Sequence, residues 1–143
     1  MPEVQRSVLV NHTPEQMFDL VDDVERYPEF LPWCGGASVS ARDLVRTRAT
    51  IQINYRGIRQ SFTTENTKRP PGEMTIRLVE GPFRELDGQW RFTALGEHGC
   101  KIEFRLQYEF SSRLLAKLLG PVFSFIANSF VEAFVKRAER LYG

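Results

Sequence analysis

The residues best suited to act as nucleophile, base or soft metal ligand are His12, His98, Cys34 and Cys100, the only two histidines and two cysteines in the 143-residue chain. A hydrolytic nucleophile needs a base within hydrogen-bond reach. Both histidines stand in turn-like contexts, Asn11-His12 and Glu97-His98-Gly99, where a surface imidazole is the ordinary outcome. Two Cys and two His at these spacings match no zinc pattern. Asp22-Asp23 offers a pair of carboxylates, but on a short helix with nothing to desolvate them they read as a water-facing acidic edge. The chain has neither a Walker-type loop nor a dinucleotide fingerprint. No catalytic residue, no metal site and no cofactor is therefore expected, and the chain reads as a binding protein, not an enzyme.

Residues able to bind are more telling. Gln60, Thr64 and Asn66 fall in phase with the apolar Ile58 and Phe62, as do Arg6 and Glu80 with the apolar residues of their own strands. Such groups are either wet strand ends or the few polar contacts that orient the head of a mostly apolar ligand. On the outward side, where charged residues are expected, Arg46, Arg48, Arg56, Arg59, Lys68 and Arg69 gather in one sheet region, and Lys136, Arg137 and Arg140 crowd the end of the final helix. Within a net charge of +1, this is either a solvated face or a patch that meets phosphate.

The elements that position these residues can be read in order. Glu3 to Val10 is a first strand with Val4, Val8 and Val10 on one face. A short helix follows, with Thr13 as N-cap, Pro14 in the first turn and Gln16 at the capping-box position. Met17, Leu20, Val21 and Val24 form its buried stripe. Tyr27-Pro28-Glu29-Phe30-Leu31-Pro32-Trp33 carries two prolines among large apolar residues. That combination predicts an ordered irregular segment closing one end of the core, either a plug or a gate to a cavity.

From Ala37 the period becomes two. Turns at Arg56-Gly57, Arg69-Pro70-Pro71-Gly72, Gly81-Pro82 and Gly96-Glu97-His98-Gly99 separate the strands of an antiparallel meander with one dry and one wet face. Gly57, Gly81-Pro82 and Gly88 are the expected sites of bends or bulges. The last thirty or so residues place Leu119, Val122, Ile126, Phe130 and Phe134 on one helical face, a stripe wide enough to need a concave partner. Gly120-Pro121 predicts a kink there, or two helices in place of one.

Strand, helix, run of strands and long helix make an α+β fold in one domain, 1–143. The chain is 42% hydrophobic with 11 Phe, which points to a large apolar interior. Two separated cysteines and no signal pattern suggest reduced thiols in the cytoplasm. The longest purely apolar runs are too short for a membrane span.

Four segments, Tyr27–Cys34, Gly57–Thr64, Gly81–Phe92 and Leu118–Phe123, resemble the START-like (SRPBCC) superfamily. More narrowly they resemble the branch shared by ubiquinone-binding proteins and ribosome-association toxins (RatA type), whose older label is polyketide (oligoketide) cyclase/dehydrase. The resemblance implies a helix-grip: a bent seven-stranded antiparallel sheet around a long C-terminal helix, with two short helices after the first strand. It also implies non-enzymatic binding of ubiquinone or a related isoprenoid lipid, in support of cellular respiration. The ligand cavity would be lined by Phe62, Trp90, Phe104, Val122, Ile126 and Phe130, with Tyr27, Phe30 and Trp33 at its mouth. Gln60 and Thr64 are its polar candidates. The alternative is a toxin that binds the large ribosomal subunit and blocks subunit joining, for which Arg46, Arg48, Arg56 and Arg59 would be the RNA-facing patch. A cyclase is the weaker third reading. The aromatic interior favours the first and the basic patch the second. A chain starting directly at its first strand fits a bacterial cytoplasmic protein, with transient contact at the inner membrane.

Overall fold

In the computed structural model, which describes residues 2–143, the chain forms seven strands, six of them marked by alternation of apolar and polar residues. They are β1 (Glu3–Val10), β2 (Cys34–Arg42), β3 (Arg46–Tyr55), β4 (Ile58–Arg69), β5 (Glu73–Glu80), β6 (Phe83–Leu95) and β7 (Gly99–Phe110). All pair antiparallel in one sheet of order β1-β7-β6-β5-β4-β3-β2, a meander closed by β1 returning beside β7. The β3–β4 hairpin turns on Arg56 and Gly57, both at positive φ (50° and 82°), as a two-residue turn matched to strand twist requires.

Helix α1 (Pro14–Asp22) begins on the expected capping box. The Gln16 N–H donates to Thr13 Oγ1 at 3.1 Å and the Thr13 N–H to Gln16 Oε1 at 2.9 Å. A short 3-10 helix (Val24–Glu29) follows, so Tyr27-Pro28-Glu29 is more regular than expected. Helix α2 (Arg113–Tyr142) starts on Ser112 and lies across the dry face of the sheet. This is the helix-grip arrangement.

Three expectations are corrected. α2 is continuous through Gly120-Pro121 and is not two helices. The carbonyl that Pro121 deprives of a partner is that of Lys117, and both residues are exposed, so water can serve it. Beneath them, Leu119, Phe123 and Ile126 carry the buried row unbroken across the proline. β2 is not marked by alternation because Gly35-Gly36 and small polar residues fill it; it follows β3 with two register shifts. Gly88 lies in regular pairing, and its small size serves close approach: a Cβ there would meet Leu106 Cδ1 at 3.1 Å. The irregularities that accompany the bend lie instead at Thr63/Thr64 and at Phe83/Glu85, just after Gly81-Pro82.

Candidate functional site

The dry face is closed chiefly by aromatic rings. Trp90 of β6 and Phe104 of β7 stand opposite in register with ring centroids 4.6 Å apart. Phe130 of α2 comes down on both, at 5.8 and 5.7 Å. Phe134, one turn further on, meets Trp90 edge-on at 5.5 Å. A cavity of about 70 Å³ remains between sheet and helix, lined by Phe62, Trp90, Phe104, Ile126 and Phe130 among others. Its wall includes two small polar side chains, Thr64 and Asn66, both buried and joined by a 3.1 Å hydrogen bond from Thr64 Oγ1 to Asn66 Oδ1. A ligand pocket for a drug-sized molecule is roughly 300–1,000 Å³. In this conformation the interior is several-fold too small for a quinone and its tail.

Two expected lining residues lie elsewhere. Val122 and Gln60 line a separate narrow crevice under the first half of α2, with Ile53, Ile58 and Phe83. Val122 shares a helical face with Ile126 but sits four residues, about 6 Å, back along the axis. Phe123 and Phe62 fill the space between crevice and cavity, with centroids 6.3 Å apart.

The expected mouth is a plug. Tyr27, Leu31 and Trp33 are buried, and the Tyr27 hydroxyl donates to the Val21 carbonyl. Burial pushes the Tyr27 phenol far above its ordinary pKa. Tyr27 and Trp33 do touch the cavity. Phe30 lies outside it, in a surface groove against α2. There the Arg137 guanidinium covers its ring at 5.1 Å and pairs with Glu29 at 2.6 Å, pinning the segment to the helix.

The titratable residues also differ from expectation. Lys68 is buried, its Nζ 3.3 Å from the Asp22 carboxylate, to which the Thr47 hydroxyl also donates at 3.4 Å. It therefore does not belong to the outward basic set, and Asp22 is not simply solvated. His12 is buried against the ring of Tyr142 at 6.0 Å with neither ring nitrogen hydrogen-bonded, whereas His98 is exposed. Cys34 and Cys100 are free and buried. Burial pushes the Cys100 thiol up to about 11 and that of Cys34 upward as well, so neither is a thiolate near neutral pH. Among the described residues no group of three or more His, Cys, Asp or Glu is placed to hold a metal.

The wet face of the sheet carries the cations, in a different pattern from the expected single patch. Arg48 is paired across the ladder with Glu65 at 3.1 Å. Arg46 and Arg56 lie at opposite ends of the β3–β4 hairpin, about 30 Å apart at the rise of a strand. Arg59 faces Asn54 beside the hairpin tip, where Arg56 lies over the Tyr55 ring at 5.2 Å. Arg46 instead belongs with Arg77 and Arg105, lining a groove of about 610 Å³ with Gln89, Gln107 and the carboxylates of Glu65 and Asp87. A second groove, about 410 Å³, adds Arg91 and Glu103 and shares Gln89 and Arg105 with the first. Arg77 reaches Asp87 only at 4.0 Å. Arg46, Arg91 and Arg105 form no ion pair among the described residues. Arg77, Arg91 and Arg105 were missed from sequence, although their outward phase was readable in β5, β6 and β7.

The family model described as polyketide cyclase/dehydrase and lipid transport matches residues 10–135. A ribosome association toxin RatA of Vibrio cholerae serotype O1 is 43% identical over 143 residues, all of this chain and 99% of that protein. The mitochondrial coenzyme Q-binding protein COQ10 homolog B of Xenopus laevis is 30% identical over 99% of this chain, which spans 59% of it. Among solved structures, an 18 kDa protein of Caulobacter crescentus superposes with a TM-score of 0.75 at 29% identity, covering 100% of this chain and 99% of its own.

Proposed function

This chain belongs to the polyketide cyclase/dehydrase and lipid transport family, and we propose that within this family it is a member that associates with the ribosome. In this reading it is a cytoplasmic inhibitor of translation that binds the large subunit through the wet face of its sheet. The observation that carries the proposal is full-length identity of 43% to a protein named a ribosome association toxin. The geometry supports it with Arg46, Arg91 and Arg105, free of ion pairs among the described residues and set among Gln89 and Gln107 in two joined grooves. Guanidiniums grip phosphate oxygens bidentately, while amide side chains reach sugars and base edges. Binding of this kind releases counterions, so three phosphate contacts give a slope of log affinity against log salt of about −2 to −3. The test is co-sedimentation of the purified protein with isolated large subunits at rising salt. Binding that weakens with about that slope supports the proposal, and absence of binding at low salt sinks it.

A second reading, a carrier of ubiquinone or a similar isoprenoid lipid, is favoured by one feature, the aromatic cavity with Thr64 and Asn66 in its wall. The 30% identity to a coenzyme Q-binding protein points the same way. At about 70 Å³ the cavity would have to open several-fold to admit the ligand, which is why this reading ranks second. Organic extraction and mass spectrometry of protein from quinone-replete native cells would decide it. Near-stoichiometric quinone would move this reading to first place, and none would remove it. A cyclase would need an acid–base pair at the cavity, and the polar groups of the wall, Thr64, Asn66 and Tyr27, are neutral.

A further inference from the structure

The outer face of α2 changes character along its length. Leu114, Leu118, Pro121 and Phe125, spaced by four, three and four residues, form one row. The two leucines and the phenylalanine are 66%, 56% and 48% exposed. Further along the same row stand Glu132 and Lys136, an ion pair at 3.3 Å. No residue from Arg113 to Leu118 is buried; the helix enters the core only at Leu119. α2 is long and apolar enough to cross a membrane by composition, yet only 28% of its most apolar window is buried inside the protein. Scattered exposed leucines are ordinary, but a continuous apolar row marks a contact surface.

The row has a basic rim. Arg113 and Lys117 lie on the same turns, and the first turn of α2 contains no acidic residue. Phe125 stacks flat on Tyr55 at 5.4 Å and 7°, which brings the β3–β4 hairpin tip, with Arg56 over Tyr55 and Arg59 next to it, against the row. None of these four cations forms an ion pair among the described residues. Cations at a helix N-terminus oppose its dipole, so helix stability does not account for Arg113.

We propose that this ridge, from Leu114 to Phe125 with the Tyr55–Arg56 tip, docks on an anionic lipid bilayer surface. The row is about 16 Å long and lies at the headgroup–acyl boundary, with Arg113, Lys117 and Arg56 on the lipid phosphates. The rim selects this occupant: a second copy in a two-fold contact would bring the same unpaired cations face to face, whereas an anionic bilayer neutralises them. Leu119, Phe123 and Ile126 hold the opposite face of α2 in the core, so the helix lies on the membrane and does not span it. The proposal does not rest on ribosome association, which uses the wet face of the sheet.

The test is sedimentation of the full chain with vesicles of phosphatidylcholine alone and of phosphatidylcholine mixed with phosphatidylglycerol. Binding is expected to the mixed vesicles and not to the neutral ones. Arg113→Gln with Lys117→Gln takes two cations away from the lipid phosphates and is expected to weaken binding roughly thirtyfold. Leu114→Asp with Leu118→Asp is expected to abolish it while co-sedimentation with large ribosomal subunits stays intact. Should that double variant melt early, Leu118→Ser is measured in its place and is expected to weaken binding. Failure of the wild type to bind mixed vesicles overturns the proposal, and so does wild-type affinity in a folded leucine variant. A dimer dissolved by the leucine substitutions overturns it equally.

Discussion

On the inner face of the sheet, Trp90 lies against Phe104 at 4.6 Å and both meet Phe130. On the outer face, one residue further along each strand, Arg91 and Arg105 stand beside Gln89 with no ion pair among the described residues. The same two strands thus serve two ends. Inside, rings fill the space so nearly that about 70 Å³ is left, and each side chain is worth several kcal/mol in packing. Outside, solvated guanidiniums contribute little to folding, since exposed ion pairs themselves are worth about 0–1 kcal/mol. The inner aromatics account for the fold, and the outer arginines are free to recognise a partner.

Phe134 is fully buried and meets Trp90, Tyr27 and Phe30 edge-on, so Phe134→Ala is expected to lose about 3–5 kcal/mol in urea unfolding. A loss below about 1 kcal/mol, beyond what collapse of the site explains, would mean that the interior is looser than its rings indicate. Asp22→Asn leaves the buried Lys68 ammonium without its partner and is expected to cost about 3 kcal/mol. Lys68→Met is expected to cost less, because Asp22 keeps access to water. The helix start is a smaller lever: Thr13→Ala, which removes one half of the capping box, is expected to cost about 1 kcal/mol. Smallest of all, Arg91→Gln with Arg105→Gln is expected to change stability by less than about 0.5 kcal/mol. A larger loss there would show that the outer face also holds the fold together.

Much of this architecture was legible in the chain. The strict alternation of β7, Cys100 to Phe110, assigns every one of its side chains to the correct face. The Thr13–Gln16 box and the Arg56-Gly57 turn name their own geometry. Phe62, Trp90, Phe104, Ile126 and Phe130 converge as their phases require. What failed depended on information that phase does not carry. Val122 has the right face but the wrong height on α2, and height is set by how the helix is docked. Lys68 shares the inward phase of Thr64 and Asn66, yet its charge type argued for the surface until Asp22 appeared across from it. His12 is covered by Tyr142, the second-last residue of the chain, a contact that no local window contains. The cavity volume depends on the rotamers of side chains from several elements, so the abundance of apolar surface did not foretell how completely it would be filled.

The proposed ribosome association rests on the outer arginine groove and not on the hollow. Arg48 is already held by Glu65, so the informative pair is Arg46 and Arg105, which line one groove and form no ion pair among the described residues. Large-subunit co-sedimentation across a salt series should therefore compare the wild type with Arg46→Gln plus Arg105→Gln. The variant is expected to release at lower salt, with a slope shallower by about two, one for each arginine taken off a phosphate. Superimposable release curves for the two proteins would contradict it.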